Sequence, residues 1–206
     1  MREIEVQTFV TLDGVMQAPG GPDEDRSGGF ANGGWSQPYW DETMGAAMGK
    51  AMEREYDLLL GRKTYDVFAA HWPNAPEDDP VWRKFDAATK YVVTSSPDTL
   101  AWQNSEAITG DVPSTIARLK EGDGSLLSVQ GSGQLIQTLL KNGLVDSFRI
   151  WTFPVVLGAG KRLFGDGTAP IGLKLVETET SSTGVTMARY QAAGDVRTGS
   201  FALETG

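Results

Sequence analysis

Short apolar segments alternate with helical patterns along most of the chain, and this alternation constrains the fold more than any other feature. Strand patterns at residues 4–12, 57–61, 90–96 and 125–130 are separated by helical patterns. Such a succession is typical of an α/β protein with a mainly parallel sheet. The end of the chain differs, because two alternating segments flank the turn SSTG and predict a hairpin. We therefore predict an α/β fold: a mixed, mostly parallel sheet flanked by helices, with a C-terminal antiparallel hairpin.

Length and composition are those of an ordinary globular protein. The chain has 206 residues, of which 40% are hydrophobic and 22% charged. These values predict one domain over residues 1–206, in which residues 192–206 form either an extra strand or a tail. No apolar run approaches the roughly 20 residues of a membrane span, and the charged N-terminus does not resemble a signal peptide. We expect a cytoplasmic protein without a membrane partner.

The residue inventory excludes several kinds of chemistry. The sequence contains no cysteine, which removes disulfides, thiolate zinc sites and cysteine nucleophiles. His71 is the one histidine, so a multi-histidine metal site is excluded and no metal is predicted. The net charge of −9 repels polyanions, and we expect no nucleic-acid partner. A small phosphorylated ligand needs only a local pocket lined by amides or basic groups.

A glycine-rich turn joins the fourth strand pattern to a helical pattern in SVQGSGQLI. Gly131, Ser132 and Gly133 leave unpaired amides at the start of a helix, where a phosphate fits. A tight turn without a ligand is an equally good interpretation of this motif alone. The motif is no complete Rossmann fingerprint, because Ile136 stands where the third glycine belongs.

Two other glycine motifs have their own alternatives. Residues 158–165, GAGKRLFG, resemble part of a P-loop, but Val155 and Arg162 replace the first glycine and the magnesium-binding hydroxyl, which excludes an NTPase. Lys161 and Arg162 are then either an anion site or solvated charges. In LLLGRKTYDVF, the guanidinium of Arg62 suits a phosphate monoester, and Thr64 is either a helix cap or a ligand contact.

A long polar loop separates the first strand from the first helix. Residues 13–36 contain seven glycines, and loops of this length are usually functional or disordered. The helical pattern that follows runs from Pro38 to Glu55. Asp41 and Glu42 lie near its start, either as acids favoured by the helix dipole or as catalytic groups.

Five motifs occur in the order found in the dihydrofolate reductase superfamily: TFVTLDGV, LLLGRKTYDVF, YVVTSS, SVQGSGQLIQTLL and GLVDSFRIWTFPVVLGAGKRLF. The chain most closely resembles the subgroup related to the reductase domain of the bifunctional riboflavin-biosynthesis deaminase-reductase. The resemblance extends to about Gln191 and implies NADPH as the cofactor. By motif position, it implies contacts to NADPH from Gly61, Arg62, Lys63, Thr64, Thr94, Ser95, Ser96, Gly131, Ser132, Gly133 and Gln134.

The resemblance also implies a reaction and a small-molecule substrate. We expect hydride transfer to a conjugated C=N of a pterin, folate or ribosylaminopyrimidine-like compound, with Asp41 or Glu42 supplying a proton. The loop before them occupies the position of the superfamily's mobile lid. The deaminase half of the bifunctional protein has no counterpart in the sequence. Related reductases imply a homodimer, for which we expect the apolar segment 143–157 to be exposed. The alternative function is that of a nucleotide-binding protein of the same fold without efficient turnover.

Overall fold

The computed structural model describes residues 1–76 and 78–201. One sheet of eight strands holds this part of the chain together. The strands are β1 (Ile4–Thr11), β2 (Tyr56–Gly61), β3 (Lys90–Val93), β4 (Ser105–Ile108), β5 (Leu126–Gln130), β6 (Ser147–Phe153), β7 (Leu173–Thr180) and β8 (Thr186–Ala192). The helices are α1 (Glu42–Glu53), α2 (Arg62–His71), α3 (Pro80–Ala87), α4 (Val112–Glu121) and α5 (Gly133–Lys141). None of the described helices is long and apolar enough to cross a membrane.

The sheet is parallel except at its end. Its strand order is β4-β3-β2-β5-β1-β6-β8-β7, and β8 pairs antiparallel with both β6 and β7. The predicted mixed sheet with a C-terminal hairpin is therefore confirmed. β5 and β1 lie side by side at the centre, so the chain leaves the sheet at neighbouring points after β2, β5 and β1. In parallel sheets, such strand ends are where ligands bind.

Each face of the sheet is covered differently. Helices α4 and α5 cover one face, where Ile116 and Leu139 pack with Val6, Val129 and Phe148 in a single apolar cluster. The other face carries two separate clusters. One surrounds Met44 of α1, and the other surrounds Tyr65 of α2 and Phe85 of α3. The gap between these two clusters lies over β5 and β1.

The helices begin in two distinct ways. Asp41, Asp79 and Asp111 cap α1, α3 and α4 by accepting hydrogen bonds from amides of the first turn. In contrast, the N-cap residues of α2 and α5 are Gly61 and Ser132, and neither supplies a side-chain cap. The first amide groups of a helix have no acceptor within the helix. The N-termini of α2 and α5 therefore retain donors that a ligand can use.

Two details differ from the sequence prediction, and one open alternative is partly resolved. The four-residue edge strand β4 was not predicted, because SEAI is short and its first three residues are not fully buried. The apolar residues of β6 are buried inside the sheet, so the expectation of an exposed apolar face is wrong for this strand; Val156, beyond its end, is 63% exposed. For residues 192–206 the sequence left an extra strand or a tail open: Ala192 is the last residue of β8, residues 193–201 form no strand, and residues 202–206 lie outside the described residues.

Residues 13–36 form a packed loop with several short turns. Trp35 is 7% exposed, and its indole N–H donates to the carbonyl of Gln17 at 2.8 Å. Gly33 lies so close to Gly21 that an added Cβ would be 2.5 Å from the Gly21 carbonyl oxygen. Glycine at position 33 is thus required by close backbone approach rather than by loop flexibility.

Candidate cofactor and substrate site

The turns that follow β2 and β5 are joined by one hydroxyl group. The Gly61 amide donates to Ser132 Oγ at 3.0 Å, and Ser132 Oγ lies 3.0 Å from Thr64 Oγ1. Gly131 and Ser132 both have left-handed backbones, with φ of 54° and 59°. This geometry turns the chain sharply from β5 into α5. The structure therefore brings together two groups of residues that are about 70 positions apart in the sequence.

The two uncapped helix N-termini meet at this junction. Their free amides and helix dipoles both favour a negatively charged group. Gly131 leaves space for such a group, because an added Cβ would contact only Thr64, at 3.7 Å and beyond. Gly133 is the first residue of α5, and its nearest neighbour in the loop is Met16, whose sulfur would lie 3.4 Å from an added Cβ. The junction can hold a pyrophosphate against the loop.

Arg62 lines an open cavity of about 870 Å³ beside this junction. Its guanidinium donates to Thr94 Oγ1, the Ser96 carbonyl and Asp66, so the fork is held in one orientation. The lining includes Thr94, Ser95, Ser96, Thr99 and Thr109. A cation surrounded by hydroxyl groups suits a phosphate ester or a ribose.

The remaining predicted cofactor residues lie on the same two helices. Lys63 is exposed in the first turn of α2, and Gln134 is exposed in the first turn of α5. The structure therefore brings the residues expected from the motifs to neighbouring strand ends. Their contact with a cofactor stays a prediction.

A polar strip crosses the sheet between the apolar clusters around Met44 and Tyr65. Paired residues on β5, β1 and β6 share this face: Ser128, Gln130, Glu5, Gln7, Ser147 and Arg149. The amide of Gln130 donates to Gln7 Oε1 at 3.2 Å. Both glutamines are half-buried, so a ligand at the junction can contact them. We call the surface formed by Gln7 and Gln130 the glutamine floor.

Aromatic rings border this strip on the α1 side. Phe9 stacks on Trp151 with centroids 5.1 Å apart, and Trp40 lies 6.0 Å from Trp151. Trp40 is 44% exposed, which is high for so large an apolar residue. A planar ring can pack against this aromatic surface while its polar edge meets the glutamines.

Sequence reasoning missed the polar strip, although a signal was present. Strands buried in a parallel sheet usually read as continuous apolar runs. Glu5 and Gln7 interrupt β1, and Ser128 and Gln130 interrupt β5, at alternate positions. Two neighbouring interrupted strands mark one polar face.

Asp41 is the N-cap of α1. It accepts from the Met44 amide at 2.9 Å and from Ser182 Oγ at 2.7 Å. These hydrogen bonds, the one from Met44 first, hold the pKa of Asp41 below its ordinary value. A carboxylate so stabilised is ionised at neutral pH and accepts hydrogen bonds. Glu42 is exposed in the first turn of the same helix, where the dipole favours an acid.

Lys161 and Arg162 hold the long loop rather than a phosphate-binding turn. Lys161 pairs with Asp25 and Ser27, and Arg162 Nε donates to the Asp13 carbonyl at 3.0 Å. Asp13 also accepts from the amides of Leu157 and Gly158. Hydrogen bonds from Thr11 and these amides lower the pKa of Asp13 to about 2. The segment GAGKRLF therefore fixes residues 13–27 in place through an ion pair and hydrogen bonds.

His71 is exposed at the last position of α2, with its ring 4.8 Å from that of Trp72. This edge-to-face contact gives it a packing role at the helix end.

The sheet order, together with the turns after β2 and β5 and the polar strip beside them, is that of the dihydrofolate-reductase-like fold. Within that class, the chain belongs to the RibD C-terminal domain family, which matches residues 2–187. Both findings confirm the resemblance predicted from the five motifs.

Individual proteins agree with this assignment. The uncharacterized protein YyaP of Bacillus subtilis is 34% identical over 140 residues, covering 66% of this chain and 74% of its own. The structure of a putative riboflavin biosynthesis protein from Shewanella sp. PV-4 matches with a TM-score of 0.63 and 22% identity, covering 93% of this chain and 99% of its own. Dihydrofolate reductase from Enterococcus faecalis, complexed with NADP(H), matches with a TM-score of 0.58 and 13% identity over 92% and 96% of the two chains.

Proposed function

We propose that this protein is an NADPH-dependent reductase that passes hydride to a conjugated C=N of a pterin, folate or ribosylaminopyrimidine-like small molecule. One observation carries the proposal: the two uncapped helix N-termini meet at the ends of neighbouring strands, joined through Ser132 and Gly61. Two such ends together suit a doubly charged pyrophosphate. The three described α-helices that begin elsewhere are capped by aspartates.

The cavity around Arg62 supports NADPH over NADH. Arg62 Nη1 lies within hydrogen-bond distance of Thr94 and the Ser96 carbonyl, and these contacts orient the guanidinium before a ligand arrives. Nε and Nη1 are engaged by Asp66, Thr94, Ser96 and Thr99, so the Nη2–H groups, which make no hydrogen bond to the described residues, can donate to the additional phosphate of NADPH. The hydroxyl groups of Ser95 and Ser96 add further donors.

The nicotinamide would supply the hydride when the cofactor is bound, and the proton that completes reduction of the C=N would come from an acid at the start of α1 or from a water molecule. This chain's own residues bind and orient the partners. The glutamine floor on β1 and β5 holds the polar edge of the substrate ring, and the surface of Phe9, Trp40 and Trp151 packs against its face. The loop of residues 13–27 lies over Gly133 through Met16, and it helps to exclude water from the reacting atoms.

A second function is a nucleotide-binding protein without efficient turnover. One observation favours it: both carboxylate oxygens of Asp41 accept hydrogen bonds, from the Met44 amide and from Ser182 Oγ, so the group is held as a helix cap. In this alternative the cofactor cleft is retained, whereas reduction of any substrate is slow.

Two measurements separate these possibilities. Fluorescence titration with NADPH tests the cofactor site, and NADPH oxidation in the presence of dihydrofolate, dihydropterins or ribosylaminopyrimidines tests the reaction. We expect micromolar or tighter NADPH binding and turnover of one of these classes. Binding without oxidation across all three classes supports the second function, and failure to bind NADPH contradicts both.

A further inference from the structure

A buried carboxylate anchors the polar strip. Glu5 is 2% exposed at the centre of the sheet, where it accepts from Arg189 Nε at 2.8 Å and Arg149 Nε at 3.3 Å. Burial alone would raise the pKa of Glu5, and the hydrogen bonds and charges of the two arginines outweigh it, so the pKa is lowered. Glu5 is therefore ionised at neutral pH and can only accept hydrogen bonds.

The charge of Glu5 fixes the orientation of Gln7. Gln7 Nε2 lies 3.1 Å from Glu5 Oε1, and only the amide nitrogen can donate to a carboxylate. Gln7 Oε1 must then point the other way, toward β5. There it accepts from Gln130 Nε2 at 3.2 Å.

The same constraint passes to Gln130. Its Nε2 donates to Gln7 and also to Ser128 Oγ at 2.9 Å, which uses both N–H groups. The remaining polar atom of the side chain is Oε1, an acceptor with no hydrogen bond from the described residues. Gln130 is half-buried and directly precedes the turn at Gly131.

We propose that Glu5 is a positioning residue, which acts through Gln7 to present Gln130 Oε1 as a fixed hydrogen-bond acceptor for a ring N–H or exocyclic amino group of the substrate. The inference rests on the proposed function, because it places the substrate ring over the glutamine floor. It narrows the substrate class to heterocycles whose recognised edge donates a hydrogen bond. If the ligand atom that faces Gln130 Oε1 is itself an acceptor, no hydrogen bond forms between them and binding is weaker.

Two matched probes test this orientation. The probe 2,4-diaminopyrimidine donates from both exocyclic groups, whereas 2,4-dimethoxypyrimidine has the same ring and donates from neither. Their dissociation constants are measured by ligand-observed NMR, with and without NADPH, at a pH where both rings are neutral. We expect the wild-type protein to favour the diamino probe by at least about fivefold, the scale of one hydrogen bond to an otherwise unpaired acceptor.

Variants assign the preference to Glu5. In Glu5→Gln the anchoring group can donate as well as accept, so the orientation of Gln7 is no longer fixed and the preference should fall to within about twofold. Gln7→Leu breaks the same chain while keeping the Glu5 ion pairs, and it serves if Glu5→Gln does not fold. Glu177→Gln is the matched control, because Glu177 pairs with Arg149 but does not contact Gln7.

The probe experiment can fail without contradicting the proposed reductase function. Equal binding of the two probes by the wild-type protein, no binding of the diamino probe, or an equal loss of preference in Glu177→Gln overturns the positioning role. NADPH titration on the same samples reports the cofactor site independently. A protein that binds NADPH but does not discriminate between the probes refutes this inference alone.

Discussion

Ser132 Oγ accepts a hydrogen bond from the backbone amide of Gly61 at 3.0 Å, which ties the start of α5 to the end of β2. Ser132 adopts a left-handed backbone, and its hydroxyl bonds across to the neighbouring turn instead of capping its own helix. The residue therefore orders the junction while leaving the amides of α5 available. This arrangement gives the proposed cofactor site its shape before any ligand binds.

The first prediction concerns cofactor preference. We expect at least tenfold tighter binding of NADPH than of NADH, because contacts from a charged group to the additional phosphate contribute about 1.5–3 kcal/mol each. Arg62→Ala should reduce this ratio to about threefold or less in a fluorescence titration. Arg118→Ala is the control: it removes an exposed positive charge on α4 rather than on α2, and it should leave the ratio of the two affinities unchanged. Equal wild-type affinity for both cofactors would contradict the assignment.

The second prediction compares two glycines with similar backbones. Gly131 and Gly143 have φ of 54° and 62°, and neither has an atom that an added Cβ would clash with. Alanine at either position should cost about 1 kcal/mol of folding free energy, through left-handed strain. Only Gly131→Ala should also weaken NADPH binding, by tenfold or more, because its Cβ enters the pyrophosphate site. Similar NADPH affinities in the two variants would indicate a structural turn without a ligand.

The third prediction separates the two roles of Asp41. Asparagine caps helices as well as aspartate, so Asp41→Asn should leave Tm nearly unchanged, whereas Asp41→Ala should lower it by about 2–4 °C. Because the pKa of Asp41 is lowered and both its oxygens accept hydrogen bonds, we expect turnover of Asp41→Asn to fall by less than tenfold. A decrease of about 10²-fold would instead support the catalytic role predicted from the sequence. Glu42→Gln, measured in parallel, tests the neighbouring acid.

The fourth prediction is a dependence of stability on acid pH. The pKa of Asp13 is lowered from 3.8 to about 2 in the folded protein, so its carboxylate stabilises the fold above pH 4 and this contribution is lost as the pH falls from about 4 to 2. Asp13→Asn should lower Tm at pH 7 and show a shallower decrease of Tm below pH 4. A parallel shift of Tm at every pH would show that Asp13 does not carry this effect.

The fifth prediction places the expected homodimer at the edge strand β7. All eight residues of β7 are exposed, including Leu175 at 50% and Val176 at 48%, and its outer edge pairs with no other described strand. Apolar edge strands readily pair with a second chain. We expect light scattering to give twice the chain mass of 22.2 kDa at micromolar concentration. The double substitution Leu175→Lys and Val176→Lys should yield monomers, whereas Leu12→Lys, at an exposed apolar residue outside β7, should not.

Local sequence patterns determined the elements and the family. Alternation in IEVQTFVT, the glycine joints after LLL and SVQ, and the hairpin turn SSTG each have a short-range physical cause, so they could be predicted without coordinates. The same holds for the exclusion of cysteine chemistry. The edge strand β4 could not be predicted in this way, because a short half-exposed strand depends on pairing with β3 rather than on its own residues.

The composition of the site was decided by tertiary structure. The cap that Asp41 provides to Met44 is a local contact, but its second oxygen is bound by Ser182, about 140 residues away, and no local pattern reports that contact. The polar strip likewise exists only because β1 pairs with β5 and β6, which aligns Glu5, Gln7 and Gln130 on one face. Sequence determines which groups a strand carries, whereas the register between distant strands decides which of them meet, because that register is set by packing across the whole sheet.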